Sequence, residues 1–294
     1  MTAAVESPII VNLGALSHDT RTEPGRWTTR QFLSKLHGLR DPAKHFAPLL
    51  RSKMLNFSEI CGVLTKLIPF VLTIVTYFTQ FVPLHSKIAD AFIKCLPIVC
   101  LIIFVGLCSM DMDREAIWYV RVIILGLIFC GAGDAILVWH HLFELGVLAF
   151  AIGHICYMIA FGFEPLAWRL GIGVGICATG LLGYLGPNVD EVFQLIGVII
   201  YAYIIFAMVW RALARLTIVT NWSWSKFLTA FGAIIFATSD LMLALNKFIV
   251  ELDNSREIIM STYYTAQLLI ALSVLEPRMP TKQITVWRWT IWCI

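Results

Sequence analysis

The chain is short of charge. Asp, Glu, Lys and Arg make up 14% of its 294 residues, where a soluble globular protein carries about 25%. Hydrophobic residues reach 59% and the mean hydropathy is +0.80. So few polar side chains cannot cover the surface of a water-soluble fold of this length. The same figures exclude a disordered chain and a collagen-like fibre. Cysteine pairing signals are also missing. None of the eight cysteines forms a CxxC pair, and Cys61, Cys95, Cys100, Cys108, Cys130, Cys156 and Cys177 lie in or beside apolar runs, where cysteine acts as a small hydrophobe. A disulfide framework and a structural zinc site are not expected, and Cys293 makes no prenylation box. There is no nucleic-acid motif, and no short apolar core followed by a small-residue cleavage site, so no signal peptide is expected. A polytopic membrane protein is the class left.

Eight apolar runs are present, at about 58–82, 88–108, 115–139, 142–162, 167–186, 191–213, 226–249 and 257–275. Each can cross about 30 Å of hydrocarbon. In lipid, backbone polar groups must be satisfied internally, and the runs lack the dyad alternation of a membrane barrel. The expected fold class is therefore all-α: a polytopic integral membrane bundle of about eight transmembrane helices. Residues 1–57 read as a flexible basic tail of net charge +4, residues 58–276 as the membrane domain, and residues 277–294 as a Trp-rich tail.

Placing the N-terminus in the cytosol puts sixteen Lys/Arg inside against Lys87, Lys247 and Arg256 outside. The positive-inside rule then sets both termini in the cytosol. Two sequons, Asn56-Phe57-Ser58 and Asn221-Trp222-Ser223, fall on that side and are expected to stay unglycosylated. The chain also echoes itself. GLIFCGAGDAIL around Asp134 and GAIIFATSDLML around Asp240 share Gly eight before the acid, Ile six before, a small residue just before and Leu three after. This pattern points to a four-plus-four parallel duplication.

An acid inside a membrane helix is costly and marks function by default. Asp134 lies five residues before Trp139 and Asp240 seven before Lys247. At 1.5 Å per residue, both carboxylates sit roughly 7–11 Å below the non-cytosolic surface. Lys94, Asn246, Lys247, Tyr263, Tyr264 and Gln267 enter from that side, and His154 and Tyr157 lie deeper. Gly126, Cys130 and Gly133 on the third run, and Gly146, Phe150 and Gly153 on the fourth, are small-residue faces that let helices approach closely. Several of these residues have two readings. Lys94 either pairs with Asp90, four residues earlier, or contacts substrate. His154 is either a core histidine or a site residue, and Tyr263 and Tyr264 belong either to the site or to an interfacial aromatic belt. With one deep imidazole, the sequence does not offer the three ligands of a catalytic zinc, so no metal or cofactor is expected. Two carboxylates at one depth suggest acid/base chemistry.

The blocks IKCLPI (93–98), GDAILVW (133–139), FAIGHICYMIAFGFEPLA (150–167), GAIIFATSDLMLALNKF (232–248) and SREIIMSTYYTAQLLIALS (255–273) resemble the lysoplasmalogenase family, in order and across roughly 60–275. The resemblance implies an eight-helix membrane hydrolase of the endoplasmic reticulum. Such an enzyme cleaves the vinyl-ether bond of alkenyl lysophosphatidylcholine or -ethanolamine, without a metal, to a fatty aldehyde and the glycerophospho-alcohol. The family's two key aspartates match Asp134 and Asp240. The other expected site residues (Lys94, His154, Tyr157, Asn246, Lys247, Tyr263, Tyr264 and Gln267) would bind the lysophospholipid, the partner within the bilayer besides membrane lipids themselves. The alternative is a transporter or lipid sensor using the same acids for proton coupling, which would need polar groups along a two-sided path.

Overall fold

The computed structural model describes residues 57–79, 86–110, 112, 114–217 and 223–275. The tails before residue 57 and after residue 275 lie outside them, as do both sequon asparagines. Each apolar run is a helix: α1 (Phe57–Thr79), α2 (Lys87–Cys108), α3 (Arg114–Ile136), α4 (Phe143–Phe161), α5 (Trp168–Leu185), α6 (Val192–Ala214), α7 (Trp224–Phe248) and α8 (Ser255–Leu272). All eight are long and apolar enough to cross a membrane. Among the described residues there is no strand. The chain is an integral membrane protein of the all-α class.

Six helices form a ring in which neighbours run α2–α3–α4–α6–α7–α8 and α8 closes back on α2. The remaining two sit outside it, α1 against α2 and α5 against α6. This order repeats after four helices. In each half the first helix flanks the second, the second packs on the third and the third on the fourth, and the fourth crosses to the second helix of the other half. The packing thus has the symmetry that the sequence echo predicts. Helices α1 and α5 turn Leu72 and Ile176 outward, 61% and 67% exposed. Faces this apolar suit lipid rather than water.

The α3–α4 contact is the tightest part of the ring. A Cβ built on Gly126 would lie 2.3 Å from the Tyr157 ring, and one on Gly133 would lie 2.6 Å from Phe150. From the other side, a Cβ on Gly146 would meet Leu137 at 2.6 Å, and one on Gly153 would meet Cys130 Sγ at 2.7 Å. Each glycine leaves room for a side chain from the facing segment, so the backbones draw together without a gap. In lipid this contact supplies the packing that the hydrophobic effect cannot.

At the far end of the bundle, α4 stops at Gly162, whose φ of +78° is a conformation that side-chain-bearing residues avoid. Arg211 on α6 is fully buried there. Its guanidinium donates to the carbonyls of Gly162 (2.8 Å), Pro165 (3.0 Å) and Leu166 (3.2 Å). The charge is therefore spent on the α4–α5 connection, where the last helical carbonyls have no helical partner.

Candidate active site

Asp134 stands two residues before the end of α3 and is 2% exposed. Its Oδ1 lies 3.3 Å from Lys94 Nζ on α2. A buried carboxylate is far cheaper beside an ammonium than alone, and the partly buried Lys94 thus has Asp134 as a partner that neither reading of Lys94 named. Tyr264 on α8 donates to the Lys94 backbone carbonyl at 2.7 Å and so fixes α2 at that residue. Its neighbour Tyr263, edge-on to Phe150 and Phe236, lies close enough to Asp134 to interact with it. Neither the Tyr263 hydroxyl nor Asp134 Oδ2, both buried, makes a hydrogen bond within the protein.

Asp240 on α7 is built differently. Its Oδ2 accepts a hydrogen bond from the Tyr201 hydroxyl on α6. His154 Nε2 on α4 lies 2.9 Å from that hydroxyl and 3.4 Å from the carboxylate. The imidazole is fully buried and packs edge-on against Phe236 at 4.6 Å. Among the described residues, no Lys or Arg lies within ion-pair distance of Asp240.

The two arrangements follow the duplication. Each aspartate sits on the third helix of its half and meets a residue from the second helix of the same half: Lys94 for Asp134 and Tyr201 for Asp240. Lys94 precedes Asp134 by 40 positions and Tyr201 precedes Asp240 by 39. Each aspartate also meets a residue from the fourth helix of the opposite half, Tyr263 for Asp134 and His154 for Asp240. Sequence reasoning missed Tyr201, and this register was the signal that could have found it.

Both aspartates line one cavity of about 530 Å³, together with Lys94, Tyr201, Ser239 and Tyr263. The rest of its wall is almost entirely apolar, supplied by the halves of α4, α6 and α7 nearest the aspartates and by the end of α5. Several wall residues are themselves more than half exposed, including Leu148 (56%) and Ile200 (56%). The cavity is therefore partly open and not sealed inside the bundle. At its end nearest the helix termini stand Phe143, Phe248 and the hydrogen-bonded pair Gln194 and Glu144 (3.1 Å), none of which the sequence singled out. Among the described residues no group of three or more His, Cys, Asp or Glu converges to hold a metal ion.

The other expected site residues lie around this cavity and not on it. Tyr157 donates to Gln267 Oε1 at 2.6 Å, a deeper tie between α4 and α8. Asn246 Oδ1 accepts from the Leu252 backbone at 3.0 Å and holds the α7–α8 connection. Lys247 Nζ sits 4.7 Å above the Phe143 ring, behind the cavity's end wall.

A helical membrane protein with a carboxylate pair in one apolar cavity is what sequence and structure define, and comparison with known proteins places it. Residues 89–274 match the model of the YhhN family, a stretch that holds every residue of the site. The chain is 40% identical to lysoplasmalogenase TMEM86A of Bos taurus, over 74% of this chain and 91% of the relative. It is 33% identical to lysoplasmalogenase TMEM86B of Mus musculus, over 71% and 86%. A lysoplasmalogenase of Mycobacterium bovis is 32% identical over 53% and 60%. No solved structure gives a significant match. The chain belongs to the YhhN family, in the lysoplasmalogenase group that its sequence blocks resemble.

Proposed function

We propose that the protein is a lysoplasmalogenase, an integral membrane hydrolase that uses Asp134 and Asp240 to cleave the vinyl ether of alkenyl lysophosphatidylcholine or -ethanolamine. The observation that carries this reading is that both aspartates line a single, largely apolar cavity within the membrane-spanning helices. A lysolipid lying in the bilayer holds its vinyl ether just below the headgroup, at the depth of the two carboxylates. Its alkenyl chain suits the apolar wall between α4, α6 and α7, and its glycerophosphate suits the end near Phe143 and Glu144. One carboxyl protonates the vinyl β-carbon, and the other, ionised, stabilises the oxocarbenium-like centre and prepares a water. The hemiacetal that forms collapses to aldehyde and alcohol. Such chemistry needs a site reached from one half of the membrane, and the cavity occupies that half. A transporter would need a path to both faces.

The family resemblance implies an endoplasmic reticulum membrane, and the charge bias favours both termini, 1–57 and 277–294, in the cytosol with the cavity in the lumenal half. The purified protein is expected to release fatty aldehyde from an alkenyl lysolipid and to leave its 1-acyl ester analogue intact. Preference for the ester would contradict vinyl-ether protonation.

A further inference from the structure

The geometry points to a division of labour between the carboxylates: Asp134 and Tyr263 hold the attacking water, while Asp240, supplied through Tyr201 and His154, delivers the proton. The inference rests on the lysoplasmalogenase reading and goes on to assign each acid its task.

Asp134 Oδ1 is taken by Lys94 at 3.3 Å, which suits a carboxylate that starts the reaction ionised. Its other oxygen and the Tyr263 hydroxyl are buried, face each other closely enough to interact without full hydrogen-bonding geometry to any protein group, and belong to cavity-lining residues. An acceptor and a hydroxyl side by side are what a water needs to be held and turned toward an electrophile. Asp240 meets instead a chain of groups that can pass protons. Tyr201 donates to it, and His154 Nε2 lies 2.9 Å from Tyr201. His154 Nδ1 has no partner within the protein.

The steps balance. The Asp240 proton goes to the vinyl β-carbon, the π pair forms the new C–H bond, and an oxocarbenium forms between the α-carbon and the ether oxygen. Water held by Asp134 and Tyr263 adds to the α-carbon and gives its proton to Asp134. The hemiacetal hydroxyl then returns a proton to Asp240, which Tyr201 holds in place. The bond from the α-carbon to the glycerol oxygen breaks, and that oxygen takes the proton held by Asp134. Both carboxyls end as they began, and one water is consumed. Tyr263 is on this account a catalytic residue, in contact with the reacting water. Tyr201 and His154 are positioning residues for the acid.

Deuterium separates the two arms. In D2O, wild type should put one deuterium on the aldehyde carbon next to the carbonyl and none into unreacted lysoplasmalogen. In Tyr263→Phe, slower water capture lets the cation return to alkene. Turnover should fall about tenfold or more, and deuterium should build up in the recovered substrate. Asp134→Asn tests the same arm through its other member and should show the same exchange with still less product. Tyr201→Phe should slow turnover without exchange, because the first proton transfer is what it impairs. Exchange in Tyr201→Phe instead, undiminished turnover in Tyr263→Phe, or slow turnover without exchange in both Tyr263→Phe and Asp134→Asn would overturn the assignment. No aldehyde from wild type would refute the lysoplasmalogenase reading itself, a result distinct from any of these.

Discussion

The two halves of the chain each place an aspartate on their third helix and then surround it differently. In the first half the partner is a lysine, the carboxylate is 2% exposed, and one oxygen is engaged by charge. In the second half the partners are a tyrosine and a histidine, the side chain is 14% exposed, and the contacts are hydrogen bonds between groups that exchange protons. A duplicated scaffold gives two carboxylates one depth and one cavity. Different partners at nearly corresponding places, Lys94 against Tyr201 and Tyr263 against His154, then give them unlike surroundings. Acid/base chemistry needs that inequality, since two equivalent carboxylates would compete for the same proton state.

The sharpest way to break the comparison is to neutralise each acid in turn. Asp134→Asn and Asp240→Asn are each expected to lower aldehyde release by about 10³-fold, measured on purified protein whose fold is checked by thermal unfolding. Full activity in either variant would show that one half-site is not used. A second contrast lies in stability. Lys94→Met strands a buried carboxylate and is expected to cost about 3 kcal/mol. Tyr201→Phe removes hydrogen bonds between neutral groups and is expected to cost about 1 kcal/mol. Denaturation in detergent that ranked them the other way would erase the difference between a charged and an uncharged half.

The eight spans were legible in the sequence because lipid imposes length and apolarity on every helix, whatever its neighbours. The close-approach faces of α3 and α4 were legible too: Gly126, Gly133, Gly146 and Gly153 recur at helical spacing, and each meets a facing side chain with no room for a Cβ. The aspartates were legible because acids are rare at that depth. Facing was not. Tyr263 and Tyr264 are adjacent in sequence and so about 100° apart around the helix, and only the first reaches the cavity. Asn246 and Lys247 have the right depth, but one serves a loop and the other an aromatic ring. Tyr201, a lone hydroxyl in an apolar run, gave no local signal. Only its register with Lys94 in the duplicated halves marks it.

The same two halves differ in how closely they pack, which sets a smaller contrast. A Cβ at Gly126 would meet the Tyr157 ring at 2.3 Å, whereas one at its counterpart Gly232 would meet Ile270 and Leu269 at 3.1 Å. Gly126→Ala is expected to cost about 2 kcal/mol and Gly232→Ala less than about 1 kcal/mol, both read from unfolding midpoints. Equal costs would mean that α3–α4 is no tighter than α7–α8. Two further measurements should show no change at all. Chelator treatment is expected to leave turnover intact, because His154 is the one deep imidazole; loss of activity restored by added zinc would contradict this. Glycosidase is expected to leave the mobility of the protein unchanged, because the charge bias puts Asn56 and Asn221 in the cytosol. A shift abolished by Asn221→Gln would place residues 214–225 in the lumen and invert both termini and the cavity.

The most direct test of the two-aspartate account is the isotope content of the aldehyde itself. When wild-type protein turns over an alkenyl lysolipid in D2O and the reaction is quenched before the product enolises, mass spectrometry should find one deuterium, on the carbon beside the carbonyl. An aldehyde without deuterium would mean that no solvent-exchanging acid protonates the vinyl ether, and would contradict the account at its centre.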